Sequence, residues 1–368
     1  MRKGQYSIFS KYNLLLLIIF IALAGIAGRR VYGLINHLAN DNNSVSDLKD
    51  KPSSKKHGSA NLTIVINRLP KIVSETSGLI FYSGGLWTHN DSGGLPEIYK
   101  FDTITGKVEQ TITVENAVNT DWEDIAQDRN FIYIGDFGNN SGTRRDLKIY
   151  RIAKNQIPRV GDASLNAKLI CFSYSDQSNF SFALNKNNYD CEAMISSGDS
   201  LYLFSKRWLD RNSIMYVLPK TPGTWVAQKR DSLDARGLIT GADISHALNE
   251  VSLIGYSKST PFIWILYGYT GADFLKGFKQ RIKFPGQTGA QTEGIAYAHG
   301  RKLFISSEKT LICPQRLYKF NTSPWTKPTS RGWKETGQVS GCGALPDSPD
   351  FSSELAETAF SRLGNTIL

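Results

Sequence analysis

The chain has 368 residues, of which 40% are hydrophobic and 21% charged, as in an ordinary globular protein. Its formal net charge of +10 raises the question of nucleic-acid binding, but the basic residues lie in scattered pairs such as Arg144-Arg145, without a basic helix or a stacked-aromatic motif. We therefore exclude a nucleic-acid partner. The 32 glycines, with 16 Tyr, 18 Phe and 7 Trp, favour β-structure, in which aromatic side chains pack well and glycines form turns.

The first 28 residues have the layout of an export signal. Arg2, Lys3 and Lys11 precede an uncharged apolar run from Leu14 to Gly28, which is short for a membrane span of about 20 residues. With Ala22-Leu23-Ala24 as a cleavage site, residues 1–28 are predicted to be a signal peptide, the alternative being an uncleaved anchor in the inner membrane. The polar residues 29–60 are predicted to be a flexible tether. Either way, we expect an exported protein, in the periplasm or cell envelope or secreted.

An internal repeat follows. Its five copies are SETSGLIF (74–81), TDWEDIAQ (120–127), YDCEAMIS (189–196), ITGADISH (239–246) and QTEGIAYA (291–298). The position that is most often glutamate holds, in order, Ser77, Glu123, Glu192, Gly241 and Glu293. Each copy is followed by a second and a third apolar run, separated by turn residues. Short strands that repeat about every 50 residues are typical of β-propeller blades.

The predicted fold is therefore all-β, a six-bladed β-propeller over residues 61–335, with a five-bladed ring as the alternative. The sixth blade would come from the long interval between Glu123 and Glu192 or from the C-terminal region. KVEQTITVE (107–115) is predicted to be the fourth strand of the first blade, and NLTIVINRLPKIV (61–73) an outer strand that closes the ring with the last blade. Residues 336–368 are predicted to be a partly irregular tail.

The repeat also predicts a site. In a propeller, the start of each innermost strand and the end of the second strand lie together at the mouth of the central channel. The residues expected there, and hence the predicted ligand-binding set, are Asp91, Glu123, Asp136, Glu192, Lys206, Arg207, Tyr256, Glu293 and Glu308.

Several roles are open for the acids of this set. They can accept backbone N–H groups between blades, hold a hard cation such as calcium, act as general acid and base, or, with the lysines and arginine, bind an anionic ligand. The predicted metal ligands are Glu123, Asp136, Asn139, Glu192 and Glu293. No particular residue is predicted to be catalytic, because no G-x-S-x-G, H-E-x-x-H or Walker motif is present.

The four cysteines, Cys171, Cys191, Cys313 and Cys342, are compatible with disulfides in an oxidising compartment or with buried free thiols. None lies in a C-x-x-C motif, which argues against zinc ribbons and thioredoxin-type chemistry.

The combination of NTDWEDIA, IYIGDFGNN and RRDLKIYRI resembles exported bacterial β-propeller proteins related to the SdiA-regulated, NHL-type and esterase-like phytase propellers. Their blades open with E-G-[IL]-A, which matches Glu293-Gly294-Ile295-Ala296 and, less closely, Glu123-Asp124-Ile125-Ala126. The resemblance covers about residues 62–325. It implies a propeller, and its phytase-like members imply calcium and phosphoester hydrolysis, although Ser77 and Gly241 depart from the acidic position.

The repeat, its acids and the resemblance leave three possible functions. The first is a propeller that binds a small molecule or a protein partner at its channel mouth without chemistry of its own. The second is a calcium-dependent hydrolase of phosphate esters. The third is a structural role in the envelope. An uncleaved N-terminal segment would add the membrane as a partner.

Overall fold

The structure, a computed structural model, describes residues 58–326, and these form an all-β fold. The strands are β1 (Gly58–Ser59), β2 (Thr63–Ile66), β3 (Thr76–Tyr82), β4 (Gly85–Asn90), β5 (Glu97–Phe101), β6 (Val108–Val114), β7 (Trp122–Gln127), β8 (Phe131–Asp136), β9 (Lys148–Ala153), β10 (Ala163–Leu165), β11 (Lys168–Tyr174), β12 (Asp190–Ser197), β13 (Ser200–Lys206), β14 (Ser213–Pro219), β15 (Gly223–Leu233), β16 (Leu238–Ser245), β17 (Glu250–Ser257), β18 (Thr260–Tyr267), β19 (Phe278–Lys283), β20 (Thr292–His299), β21 (Lys302–Ser307) and β22 (Arg316–Asn321). Three single-turn 3-10 helices, Lys71–Val73, Lys154–Gln156 and Pro285–Gln287, lie between them. No helix within residues 58–326 has the length and hydropathy that a bilayer span requires.

The strands assemble into five antiparallel units of four, which we call blades 1 to 5. They are β3–β6, then β7–β9 with β11, then β12–β15, then β16–β19, and finally β20–β22 with β2. The sequence explains the order within a blade. The second strand is buried on both faces and reads as an apolar run, such as FIYIGD in β8, whereas outer β6 alternates between buried and more exposed residues.

The five blades close into a ring. Each innermost strand packs against that of the next blade, and β20 of blade 5 packs against β3 of blade 1. Five hydrophobic clusters fill the five spaces between neighbouring blades. For example, Trp87 of blade 1 and Trp122 of blade 2 lie in one cluster, and Phe204 of blade 3 and Phe262 of blade 4 lie in another. This is the arrangement of a β-propeller.

Residues 58–326 therefore contain five four-stranded units, the number of the alternative prediction, and the C-terminal region from which a sixth blade was expected lies largely outside these residues. The long interval between Glu123 and Glu192 holds no further blade. It holds β9, β11 and long connections, and within it β10 runs parallel to β6 as an extra edge strand of blade 1. Loop length, and not an extra repeat, lengthened the spacing.

The predicted strands at the two ends of the ring are confirmed. KVEQTITVE forms β6, which pairs with β5. NLTIVINRLPKIV supplies β2, which pairs antiparallel with β22, so that Thr63 is opposite Lys319 and Ile64 opposite Tyr318. The ring is thus closed by a strand from the start of the domain on the last blade.

Several predictions fall at the edges of the described residues. The signal peptide or anchor (1–28), most of the tether, the tail (336–368) and Cys342 lie outside them. Gly58 and Ser59, assigned to the tether, instead pair with Ile282 and Lys283 of β19. Cys171, Cys191 and Cys313 are free thiols, but of these three only Cys191 is buried, as the second alternative expected.

Candidate functional site

The channel mouth is built by a bulge in every innermost strand. In β7, β12 and β20 the pairing register shifts by one residue around Glu123, Glu192 and Glu293 respectively. A bulge places an extra residue opposite a single partner and redirects its side chain. The three glutamates are only 3–5% exposed. The repeat therefore encodes a recurrent bulge, with a glutamate at it in three of five blades.

The pairing register of β16 also corrects the alignment of the fourth repeat copy, in which Gly241 was aligned with the glutamates. In β16 the shift lies between Ile239 and Gly241, so that Thr240, and not Gly241, corresponds to the glutamates. The Thr240 hydroxyl donates to the carbonyl oxygen of Thr292 (2.7 Å), just as the Ser77 hydroxyl of blade 1 donates to that of Glu123 (2.6 Å). In these two blades the position ties neighbouring blades together.

Seven of the nine predicted ligand-binding residues lie within electrostatic reach of one another at the mouth. They are Asp91, Glu123, Glu192, Lys206, Tyr256, Glu293 and Glu308. Two acids that the prediction omitted, Asp121 and Asp190, join them. Both precede a bulged glutamate by two residues, and this spacing is a signal that the sequence offered.

Two groups of three carboxylates lie close enough to share an ion. Asp91, Asp121 and Glu123, the outer triad, each offer an oxygen within 4.8 Å of the other two, as do Glu123, Asp190 and Glu192, the inner triad. Asp91 and Asp121 are partly exposed, and the inner triad is buried. Glu123 belongs to both triads, which makes it the central residue of the site.

The ammonium group of Lys206 lies among these acids. Nζ of Lys206 is 2.5 Å from both carboxylate oxygens of Glu192, 4.9 Å from the ring centre of Trp208 and 5.6 Å from that of Tyr256. Burial disfavours the charged lysine, but the fields of Glu192, Tyr256 and Glu293 outweigh it and raise the pKa of Lys206 well above its usual value. Lys206 is therefore charged and neutralises one of the acids.

The carboxyl groups retain protons far more readily than exposed acids do. Burial, followed by the fields of Asp91 and Asp190, raises the pKa of Asp121 to about 7. Burial raises that of Glu293 to about 7, against the pull of Lys206, and burial with the field of Glu293 raises that of Glu308 to about 9. Burial and the field of Glu192 raise the pKa of Glu123 well above its usual value. The cluster thus carries more acid than its surroundings neutralise.

Two predicted residues have separate partners. The buried carboxylate of Asp136 lies 2.8 Å from Arg144 and 3.6 Å from Lys148, and it accepts the backbone N–H of Asp121. Arg207 lies 2.5 Å from Asp210. Neither belongs to a triad within the described residues.

Asn139 of the predicted metal set has a scaffolding position. Its backbone N–H donates to Asp190 (2.7 Å), and its side-chain oxygen accepts the backbone N–H of Arg144 (3.0 Å). It therefore orients Asp190, an acid of the inner triad that the prediction did not include.

Asp124 lies next to Glu123 in sequence but belongs to the ring itself. One of its carboxylate oxygens accepts the N–H groups of Met194 (2.7 Å) and Ala242 (3.3 Å), from blades 3 and 4, and the other accepts that of Ile125 (2.9 Å). The acids of TDWEDIA therefore divide into two at the site and one in the scaffold.

Comparisons with known proteins return distant likenesses only. No protein-family model and no curated protein sequence matches the chain. Among solved structures, the Major Malassezia sympodialis Allergen Mala s 1 is similar over 72% of this chain and 97% of its own (9% identity, TM-score 0.42). A TolB of Agrobacterium tumefaciens is similar over 67% and 76% (13% identity, TM-score 0.37).

A third solved structure, Kuenenia stuttgartiensis hydrazine synthase, is similar over 70% of this chain (12% identity, TM-score 0.32). The match spans 59% of that longer chain. At such identities and TM-scores these likenesses carry no argument for function. The strand pairing and the ring closure described above establish the propeller-type fold by themselves.

Proposed function

We propose that the protein is a ligand-binding propeller whose channel mouth holds a hard divalent cation, with calcium as the expected ion. The single observation that carries this proposal is the pair of carboxylate triads that share Glu123.

The charge of the cluster supports a cation. Seven carboxyl groups lie near the ammonium group of Lys206; the seven are Asp91, Asp121, Glu123, Asp190, Glu192, Glu293 and Glu308. Without a further positive charge, several of them must hold protons, as their raised pKa values indicate. A divalent ion would replace those protons and relieve the repulsion.

The donor set fits calcium. Calcium binds six to eight oxygens at about 2.3–2.6 Å, so that two of its ligands are at most about 5 Å apart. The triads meet this limit with oxygens within 4.8 Å, and all their donors are carboxylates, which suit a hard ion. Thiols and imidazoles are absent from both triads, which disfavours zinc and copper.

The two triads would have different roles. The inner triad is buried, so an ion there would act as a structural link between blades 2 and 3. The outer triad includes Asp91 and Asp121, which are partly exposed, so an ion there would keep sites open to an oxygen of a bound molecule or of a protein partner. Binding at the mouth is the function that this geometry supports best.

The other two functions lead to distinct observations. A calcium-dependent phosphoesterase would show turnover of a phosphate ester by the wild type that Glu123→Gln abolishes. A purely structural envelope protein would bind the ion but no further molecule. The export signal predicted for residues 1–28 favours a location outside the cytoplasm for all three.

The test is a thermal melt of the full-length chain in chelator and then in excess calcium or magnesium. Binding to the folded state alone adds about 2.7 kcal/mol at a hundredfold excess over Kd. We expect calcium to raise Tm by roughly 5–10 °C. Glu123→Gln should abolish the rise, since it removes the residue common to both triads.

Asp199→Asn is the matched control, because Asp199 is an exposed acid in the turn between β12 and β13, at the other end of the strands. This variant should keep the full calcium response. Glu123→Gln should itself fold well in chelator, since it removes a carboxyl from a crowd of acids. If wild type and Glu123→Gln respond equally to calcium, the triads do not bind it and the proposal fails.

A further inference from the structure

A second cavity lies at the opposite end of the channel from the triads. It is lined where the innermost strands of blades 2 to 5 end and turn back, and its volume is about 560 Å³. We call it the lower cavity. Cavities that hold small molecules usually measure about 300–1,000 Å³. The volume therefore suits a small molecule.

The acids that line the lower cavity are already engaged. Asp128 accepts the backbone N–H groups of Asn130 and Phe131 with one oxygen, and the Tyr133 hydroxyl and Lys220 Nζ (both 2.8 Å) with the other. Its acceptor positions are thus occupied by four donors.

Asp243, the other acid of the lower cavity, is engaged in the same way. It accepts the backbone N–H groups of Ile244 (2.8 Å) and Tyr297 (2.7 Å), and so links blades 4 and 5 as Asp124 links blades 2 to 4. Both acids of the lower cavity thus accept a hydrogen bond from the protein on each carboxylate oxygen.

The groups that remain for a ligand are hydrogen-bond donors. Ser196 is 1% exposed, it lines the lower cavity, and its hydroxyl has no hydrogen-bond partner among the described residues. A buried hydroxyl without a partner is costly, and a ligand that bonds to it removes the cost. This orphaned hydroxyl points to a polar occupant.

An exposed arginine lines the same cavity. Arg129, at the turn after β7, lines the cavity and forms no ion pair or hydrogen bond with any residue in 58–326. His246 lies on another wall, with Nε2 3.1 Å from the carbonyl oxygen of Ser196. Since Lys220 is already paired with Asp128, the unpaired charge of the lower cavity is that of Arg129.

From these contacts we propose that the lower cavity binds a small anion that carries a carboxylate or phosphate group. The guanidinium of Arg129 pairs with the anionic oxygens, as arginine does with planar carboxylates and with phosphates. The hydroxyl of Ser196 donates to the same group or to an adjacent oxygen. The cavity thus selects an anion at the end of the channel opposite the acidic triads.

The experiment uses two probes on the full-length chain, inorganic phosphate and citrate, titrated calorimetrically in chelator. We expect at least one of them to bind. The probe that binds more tightly identifies the favoured oxyanion. Arg129→Gln should weaken that binding by about ten- to a hundredfold, the usual effect of losing a charge-assisted hydrogen bond.

Ser196→Ala separates a ligand contact from a structural one. Since the hydroxyl has no hydrogen-bond partner within residues 58–326, the variant should melt no earlier than the wild type and should bind the anion several-fold more weakly. Arg159→Gln is the control, because Arg159 is exposed and lies outside the cavity. Failure of both probes at millimolar concentration, or equal binding by Arg129→Gln and Arg159→Gln, would overturn the proposal.

Discussion

At the scale of single residues, the three acids in NTDWEDIA have three different surroundings. Asp121 lies partly exposed in the outer triad, Glu123 is buried where both triads meet, and Asp124 is fully buried among backbone N–H groups of three innermost strands. Their side chains diverge because the bulge at Glu123 interrupts the alternation of the strand. Replacing these acids by their uncharged amides should therefore change the stability of the protein in opposite directions, depending on which acid is replaced.

We expect Asp124→Asn to lower the free energy of unfolding by about 3 kcal/mol, because an amide nitrogen cannot accept the N–H groups that one carboxylate oxygen now accepts. Asp121→Asn should be neutral or stabilising in chelator, since it removes a crowded acid. Urea denaturation of both variants in chelator measures the difference. Equal midpoints would show that Asp124 does not tie the blades.

At the scale of elements, the innermost strands approach one another so closely that some positions tolerate no side chain. Gly78, at φ +65°, lies against the backbone of Asp124 and Ile125, and Gly294 lies against the backbone of Gly78. Gly241 lies against the carbonyl oxygen of Glu293. These glycines lie at the bulges or directly after them. The bulges and the close contacts between innermost strands therefore act together to bring the glutamates near one another.

Gly241→Ala tests the close contact between the innermost strands, because the added Cβ would lie about 2.2 Å from the carbonyl oxygen of Glu293. We expect a loss of about 1–3 kcal/mol in stability, as for overpacking in a core. Gly94→Ala, whose Cβ would meet nothing closer than 3.4 Å, should change stability by less than about 0.5 kcal/mol. Chemical denaturation compares the two, and equal effects would contradict a close approach at Gly241.

At the scale of the whole molecule, folding makes buried acids along the channel bind protons more tightly, those of the triad end and Asp243 of the lower cavity. Folding raises the pKa of Asp121 and Glu293 to about 7 and that of Glu308 to about 9. The native state therefore binds more protons than the unfolded chain above pH 5, and these groups destabilise the fold as pH rises. Burial lowers the pKa of His89 to about 4, which acts in the opposite direction below its unfolded value of 6.5.

Between pH 6.5 and 9, in chelator, we expect Tm to fall by several degrees, because His89 is neutral in both states there while the acids lose their protons. Glu293→Gln should flatten this decline, and saturating calcium should remove most of it. Asp199→Asn should follow the wild type. A Tm that is constant over this range in chelator would contradict the raised pKa values.

The repeat made the blades predictable, because each strand's burial appears as an apolar run between turns. The mouth position of Glu123, Glu192 and Glu293 followed from the same pattern. The repeat pattern could not show how the loops fold and which side chains they bring to the channel mouth. Asp136 is withdrawn from the triads by Arg144, a loop residue that no spacing rule places beside it. The sequence also aligned Gly241, in place of Thr240, with the glutamates. The correct alignment depends on the position of the bulge in β16, and a bulge is not visible in the sequence as an insertion.

The pairing of β2 with β22 also sets the order of assembly during synthesis. Leu69 and Gln315 exchange hydrogen bonds across 246 positions, so the ring cannot lock until almost the entire domain has left the ribosome. Contacts of such long range form slowly. β2 is made first and has no partner until β22 is made, and until the two strands pair β22 is an unpaired edge of blade 5, which invites pairing with other chains. The strand that completes the propeller thus also caps its most association-prone edge.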